Sequence, residues 1–458
     1  MSRGMFCLSV LSGVFILMAG CGGSSSSSSS GGSGGGGGNG GGGNGGGNST
    51  NVTFAITGTP TAVATKIGSG SFTAATLTDG SLTLSLPDGT TNFAVAYVCP
   101  SVNVGSTTSQ RMETNEDVVE ASTLDGTSFS ESCPVLTSTG STGSTGTLTG
   151  SVDASAIPGS AYNFLNIYAE NGTAESTGDS AFPSGSFSFA APVGTDRVEV
   201  VDYGMTVGSS GEVQSVVAIK NFSGQAVPGA LNGGSTVVLS AADQTVPEPI
   251  TYQNVPTGFS APTTNDYYVW SGGDSILVEN AATSTYLALP AGAMETGDYY
   301  YFDAFATGSL SGATNGNGYE EVTVETTSTS SGPVSFSFPP AWTYAGPAAA
   351  TWPSFNVAYS GFSSSADVCD QASMIWQPSP TVENVVVVAA SGNYLSGSTT
   401  LAVPDLTSLT GFIAAPPSKT TVGWGANVLQ SEYPCFKPST LSNSTVKIVN
   451  NGGTYTTP

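Results

Sequence analysis

Thirty-two carboxylates and no histidine set the chemistry open to this chain of 458 residues. Without imidazole the Ser-His-Asp and Cys-His nucleophile systems are excluded in their usual form, and the commonest general base is missing. No Cys-x-x-Cys occurs, so a thiolate or imidazole zinc centre has no ligand set. The G-x-S-x-G match at Gly31–Gly35 lies in a Gly/Ser tract, where no strand-to-helix elbow can expose the serine. Glu113, Glu116, Asp117, Glu120 and Asp125 form the densest carboxylate group. Calcium is the cation such hard oxygens suit, but the spaced Asp pattern closing on a bidentate Glu is missing. The group therefore reads as an acidic strand edge that discourages pairing with other chains. Glu320, Glu321 and Glu325 read the same way. A carboxylate-dependent hydrolase needs two carboxyls roughly 5 to 10 Å apart in one cleft, and linear spacing supplies no such pair.

Aromatic residues are the second chemical resource. Tyr299, Tyr300, Tyr301, Phe302 and Phe305 surround Asp303, and Tyr267, Tyr268 and Trp270 lie upstream beside Asp266. Period-two alternation puts rings on both faces of such strands, and one face must be core. Tyr267, Trp270, Tyr299 and Tyr301 are the candidates for a carbohydrate-stacking platform on the other face, and three coplanar exposed rings would establish one. Burial of that face under a neighbouring domain is the competing expectation. Trp342, Trp352, Trp376 and Trp424 read as core or junction residues.

These residues must be positioned by strands. Only 9% of the residues are charged, Lys and Arg total 8, and glycines number 61, so long amphipathic helices lack their building blocks while short strands and turns do not. The net charge of −24 excludes a nucleic-acid partner, since 8 scattered cations cannot neutralise a phosphate backbone.

Four segments share an alternating apolar run that ends in proline: Ser81–Pro87, Ser186–Pro192, Tyr286–Pro290 and Thr400–Pro404. Glycine follows two residues after the first three of these prolines. The prolines stand 105, 98 and 114 residues apart, about one sandwich domain each. Alternation buries one strand face, proline ends ladder donation, and glycine supplies a tight turn, so a hairpin is expected at each site. Phe93, Val95 and Tyr97 follow in the first unit, and Val198, Val200 and Tyr203 in the second. This strand, Pro-x-Gly turn and strand resembles transthyretin-like domains of the carboxypeptidase regulatory type, and an immunoglobulin-like sandwich carries similar local signals.

The fold expected is all-β, with tandem β-sandwich domains after a disordered Gly/Ser linker. The boundaries read as a signal segment at 1–20, a linker at 21–50, sandwiches at 51–137, 147–245, 246–338 and 354–458, a Ser-Thr-Gly linker at 138–146 and a Pro/Ala-rich linker at 339–353.

The N-terminus supplies an address. Arg3 precedes an apolar run from Met5 to Met18, and small residues then lead to Cys21. The run is too short for the roughly 20 residues that span a bilayer, and it fits a secretory signal. Leu17, Met18, Ala19, Gly20 and Cys21 resemble the lipobox of bacterial lipoproteins, which implies lipidation of Cys21 and a membrane partner through that lipid. By the same resemblance Gly22 implies sorting to the outer membrane of a Gram-negative envelope. From Gly22 to Asn48 the chain is only Gly, Ser and Asn, a coil of roughly 30 Å root-mean-square span.

Cys99 and Cys133 fall within unit one, and Cys369 and Cys435 within unit four. Four cysteines allow three connectivities, of which pairing within each unit is the simplest, and export to an oxidising compartment permits it. Taken together, the residues point to a noncatalytic, membrane-anchored surface lipoprotein for binding, adhesion or structural spacing. The alternative is an accessory polysaccharide-binding lipoprotein using the aromatics of the third unit, and a surface protein is the other partner class considered.

Overall fold

The computed structural model describes residues 49–104, 111–133, 145–158, 162–169, 175–176, 184–208, 211–271, 275–309, 319–342, 346–348, 352–362, 368–431, 435 and 445–458. The first repeat contributes β1 (Thr50–Thr57), β2 (Ala62–Ile67), β3 (Thr73–Ala74), β4 (Ser81–Leu86), β5 (Asn92–Val98), β6 (Val102–Val104), β7 (Arg111–Ser122) and β8 (Ser128–Ser132). In the second are β9 (Thr145–Asp153), β10 (Tyr162–Ala169), β11 (Glu175–Ser176), β12 (Ser184–Pro192), β13 (Gly194–Gly208), β14 (Gly211–Val227), β15 (Gly229–Ala230) and β16 (Val237–Val238). The third holds β17 (Val246–Gln253), β18 (Thr263–Val269), β19 (Ser275–Ala282), β20 (Thr285–Ala288), β21 (Tyr299–Ser309), β22 (Tyr319–Ser328) and β23 (Val334–Ser337). The fourth has β24 (Ser354–Asn356), β25 (Val368–Ser379), β26 (Val382–Ser391), the single helical turn α1 (Gly392–Leu395), β27 (Thr400–Ala402), β28 (Thr421–Ser431) and β29 (Thr445–Thr456).

The chain is all-β, built of tandem sandwiches. Each repeat lays a small covering sheet, β4-β1-β8, β12-β9-β15, β20-β17-β23 or β24-β27, on one face of a larger one. The four proline-terminated segments supply β4, β12, β20 and β27, and each pairs antiparallel with the opening strand of its repeat. In β4 the leucines at 82, 84 and 86 are buried while Thr83 and Ser85 are exposed, as period two requires.

No hairpin follows the proline turns. β4 and β5 lie in different sheets, as do β12 and β13, β20 and β21, and β27 and β28. The reason is burial. β5 is apolar on both faces from Phe93 onward and belongs between neighbours inside the large sheet, whereas β4 is polar on its outer face and suits a cover. The turn therefore carries the chain across the roughly 10 Å between layers. It has the same form in repeats one and three: Thr90 N donates to Pro87 O at 3.0 Å and Ala293 N to Pro290 O at 3.1 Å. Gly89 and Gly292 hold φ of 77° and 93° in those turns. Gly292→Val, which demands this backbone of a β-branched residue, is expected to lower stability by about 1–2 kcal/mol, read as an earlier thermal transition against Ala291→Val.

The large layers join edge to edge. Among the described residues they form one 17-stranded sheet that passes through the repeats in the order one, four, three, two. β7 pairs parallel with β26 over Met112–Glu120 against Val382–Ala390. β22 pairs with β29 over Tyr319–Thr326. Among the described residues the seam between repeats two and three carries the single register pair Ser215 and Glu279.

Among the described residues three apolar cores follow from this arrangement. Val95 and Val119 face Phe54 and Leu84 in the core of repeat one, and Val198 and Val200 face Leu148 and Phe189 in that of repeat two. The neighbouring residues Ala96, Val118, Val201 and Ile219 join the third core, shared with repeats three and four. Strand alternation thus places the cover of repeat one on the opposite face of the joined sheet from that of repeat four. Cys99 pairs with Cys133 and Cys369 with Cys435, at Cα separations of 5.3 and 5.7 Å. The first ties the end of β5 in one layer to the end of β8 in the other.

Candidate functional site

The carboxylate group on β7 is where structure and sequence expectation part. β7 is an interior strand, flanked by β5 and β6 on one side and β26 on the other, so it is no edge. Glu116, Glu120 and Asp125 are buried, and each accepts at least one hydrogen bond from the fourth repeat. Ile413 N donates to Glu116 at 2.8 Å, Tyr394 OH to Glu120 at 2.9 Å, and Ser391 Oγ and Asn393 Nδ2 to Asp125 at 2.5 and 2.6 Å. These groups hold a seam. No cluster of three metal-ligating side chains occurs among the described residues. Glu320 and Glu321 serve the next seam, accepting from Trp342 N and, at 3.3 Å, from Asn450 Nδ2.

Beside the first seam lies a cleft of about 310 Å³ lined by Lys66, Glu120, Tyr394, Leu395, Ser398, Thr400, Ala402 and Pro404. Lys66 on β2 and Glu120 on β7 are both in register with Ala94 on the intervening β5. The small alanine lets the two long side chains meet above it, with Lys66 Nζ 2.9 Å from Glu120 Oε1. The ammonium also sits 5.2 Å from the Phe72 ring centre and 5.4 Å from that of Tyr394. Burial acts to lower the Lys66 pKa, but the Glu120 carboxylate and the hydrogen bonds of Tyr394 and Glu120 leave it raised. Burial, and then the charge of Glu120, push Tyr394 up to about 12. The ammonium and the carboxylate thus face one another as a salt bridge.

Its walls are well braced. Tyr394 and Leu395 belong to α1, capped by Ser391 Oγ accepting from Tyr394 N at 3.0 Å. Asn92 Nδ2 of repeat one donates to Tyr394 O at 2.9 Å, so both repeats fix the ring. Sequence reading singled out Glu120 but neither Lys66 nor Tyr394, which lie 54 and 274 residues away from it. No local signal joins residues so separated.

The aromatic candidates divide. Trp270 is 2% exposed and cannot stack on a sugar; instead it lies 5.1 Å from the Arg197 guanidinium. Tyr267, Tyr299 and Tyr301 are half-buried on the outer face of β18 and β21. The rings of Tyr267 and Tyr301 are 5.8 Å apart and tilted by 47°, so they make no flat platform. Burial, and then the charge of Glu325, push the Tyr301 hydroxyl up. Burial likewise raises Asp303, to about 7. Trp342, Trp376 and Trp424 are core residues. Cys21, the segment before it and the Gly/Ser/Asn tract lie outside the described residues, as do residues 138–144 of the Ser-Thr-Gly triplets.

No family model and no curated protein matches the chain. Among solved structures it is similar to the pilus adhesin SpaC of Lactobacillus rhamnosus GG in its open conformation, at 8% identity and a TM-score of 0.14. That match covers 75% of this chain and 44% of the adhesin. A second crystal form of the same adhesin gives 8% identity and a TM-score of 0.12 over the same shares. The chain thus spans under half the length of the adhesin.

Proposed function

We propose that the chain is a noncatalytic surface lipoprotein, held by an acylated Cys21 and presenting one continuous β body for binding or adhesion at the cell envelope. The observation that supports a presenting role is the backbone pairing through all four repeats. Repeats joined only by linkers would move independently, whereas repeats welded through a sheet hold their surfaces at fixed separations. The Gly/Ser/Asn tract before residue 49 supplies reach between lipid and body, and the net charge of −24 favours solvation outside the cell.

Cys21→Ser tests the anchor. The variant is expected to leave the membrane pellet for the soluble fraction, while the parent stays with the outer membrane and is cut by protease added to intact cells. Unchanged fractionation of the variant would refute the anchor, and full protection from external protease would refute surface display.

A further inference from the structure

We infer that the cleft between repeats one and four is a saccharide subsite, shaped for a neutral, hydroxyl-rich ring. This deepens the binding role proposed above and rests on that reading for its biological setting only. Four observations carry it.

The first is charge. Lys66 and Glu120 neutralise one another at 2.9 Å inside the lining. An anionic ligand must draw Lys66 away from Glu120, and a cationic one must displace Lys66; a neutral ligand does neither. The second is hydrogen-bond character. Lys66 and Tyr394 both bond to Oε1 of Glu120, and Oε2 takes no hydrogen bond among the described residues. An acceptor oxygen beside an ammonium donor complements two adjacent sugar hydroxyls, each of which donates and accepts. Ser398 and Thr400 are the hydroxyl-bearing residues of the wall, the Ser398 Oγ donating to Thr400 O at 3.1 Å and accepting from Thr400 N at 3.2 Å. Third, Tyr394, Leu395, Ala402 and Pro404 supply aromatic and aliphatic surface for the C–H faces of such a ring. The volume of about 310 Å³ stands at the lower end of small-ligand sites, which run from roughly 300 to 1,000 Å³, and admits a mono- or disaccharide unit.

Preorganisation is the fourth. α1 is held from repeat one by Asp125, which accepts from Ser391 Oγ and Asn393 Nδ2, and by Asn92, which donates to Tyr394 O. A ligand therefore need not order the wall on arrival, which lowers the entropic opposition to binding.

The test uses the full chain purified in detergent, with maltose, cellobiose and N,N′-diacetylchitobiose as neutral probes and galacturonate as the anionic one. Saturation-transfer NMR and titration are expected to give binding of at least one neutral probe with Kd at or below about 1 mM. Ala402→Phe, at an exposed lining position, fills the cleft and is expected to weaken that binding at least about tenfold. Ser398→Ala is expected to weaken it about threefold, with the thermal transition of Ala402→Phe unchanged and that of Ser398→Ala slightly lowered by loss of its bonds to Thr400 O and N. Absence of binding by all three neutral probes at about 10 mM would overturn the inference. So would binding of galacturonate alone, or neutral-probe binding indifferent to both substitutions. None of these outcomes touches the anchor, which fractionation of Cys21→Ser reads separately.

Discussion

Arg197→Met is expected to uncouple repeat two from repeat three and to lower the melting temperature of that part of the protein by about 10 °C. The seam is thin in backbone terms, with one register pair among the described residues, and side chains hold the rest. Arg197 is 5% exposed. It bonds Glu199 and Asp298 at 2.8 Å each and Ala293 O at 3.0 Å, and donates to Tyr268 OH. Its guanidinium faces the rings of Tyr268 and Trp270. Around it Tyr268 OH donates to Asp298 at 2.6 Å and Asn221 Nδ2 to Glu295 at 2.8 Å.

Removing the cation leaves buried carboxyls uncompensated, a loss of roughly 3–5 kcal/mol for such a network. Burial already pushes the Glu199 carboxyl above its usual range, with Arg197 pulling it back. The loss should therefore be greater at pH 8 than at pH 5, where Glu199 takes up a proton. Calorimetry of Arg197→Met should show a separate early transition, partly reversed by adding Glu199→Leu. A single transition within about 1 °C of the parent would mean that the ionic cluster does not hold the seam.

Stability as a whole is expected to fall as pH rises from about 4.5 to 8, with a melting temperature at least about 5 °C higher at the acid end. Burial raises Glu116, Asp117, Glu131, Glu279 and Asp370 to about 7, as it does Asp303. A carboxyl whose folded pKa exceeds its unfolded value binds more protons in the folded state between the two. Its stabilisation is complete below about pH 4 and is lost as pH rises through 7. Asp153 and Glu295 are lowered by hydrogen bonds from Ser155 and Ser223 and act in the opposite sense. They are fewer, and both are largely exposed, so solvent screens their contribution. Self-repulsion at a net charge of −24 adds to the loss above neutrality. Thermal melts across this range at fixed ionic strength would check it, and a flat profile or an alkaline maximum would contradict it.

The residue pattern determined a good deal by itself. Alternation in Ser81–Leu86 and Ser186–Pro192 is a local property of strands with one dry face, and it marked both elements and the spacing of their repeats. Composition fixed the all-β class for the same reason, since helices need residues this chain lacks. Cysteine placement gave the pairings Cys99 with Cys133 and Cys369 with Cys435 because each pair falls within one repeat. Tertiary structure alone decided which strands are neighbours. Alternation puts Val118 on one face of β7 and Val119 on the other, but a strand also has two edges, and nothing within Arg111–Ser122 specifies β26 as the partner of one of them. That pairing turned a supposed acidic edge into an interior strand, and Glu116 and Glu120 into acceptors across the seam. The same pairing brought Tyr394 against Lys66 and Glu120 to form the cleft. The burial of Trp270 was equally out of reach, because its cover includes Arg197, a residue of another repeat brought over it only when the sheets join.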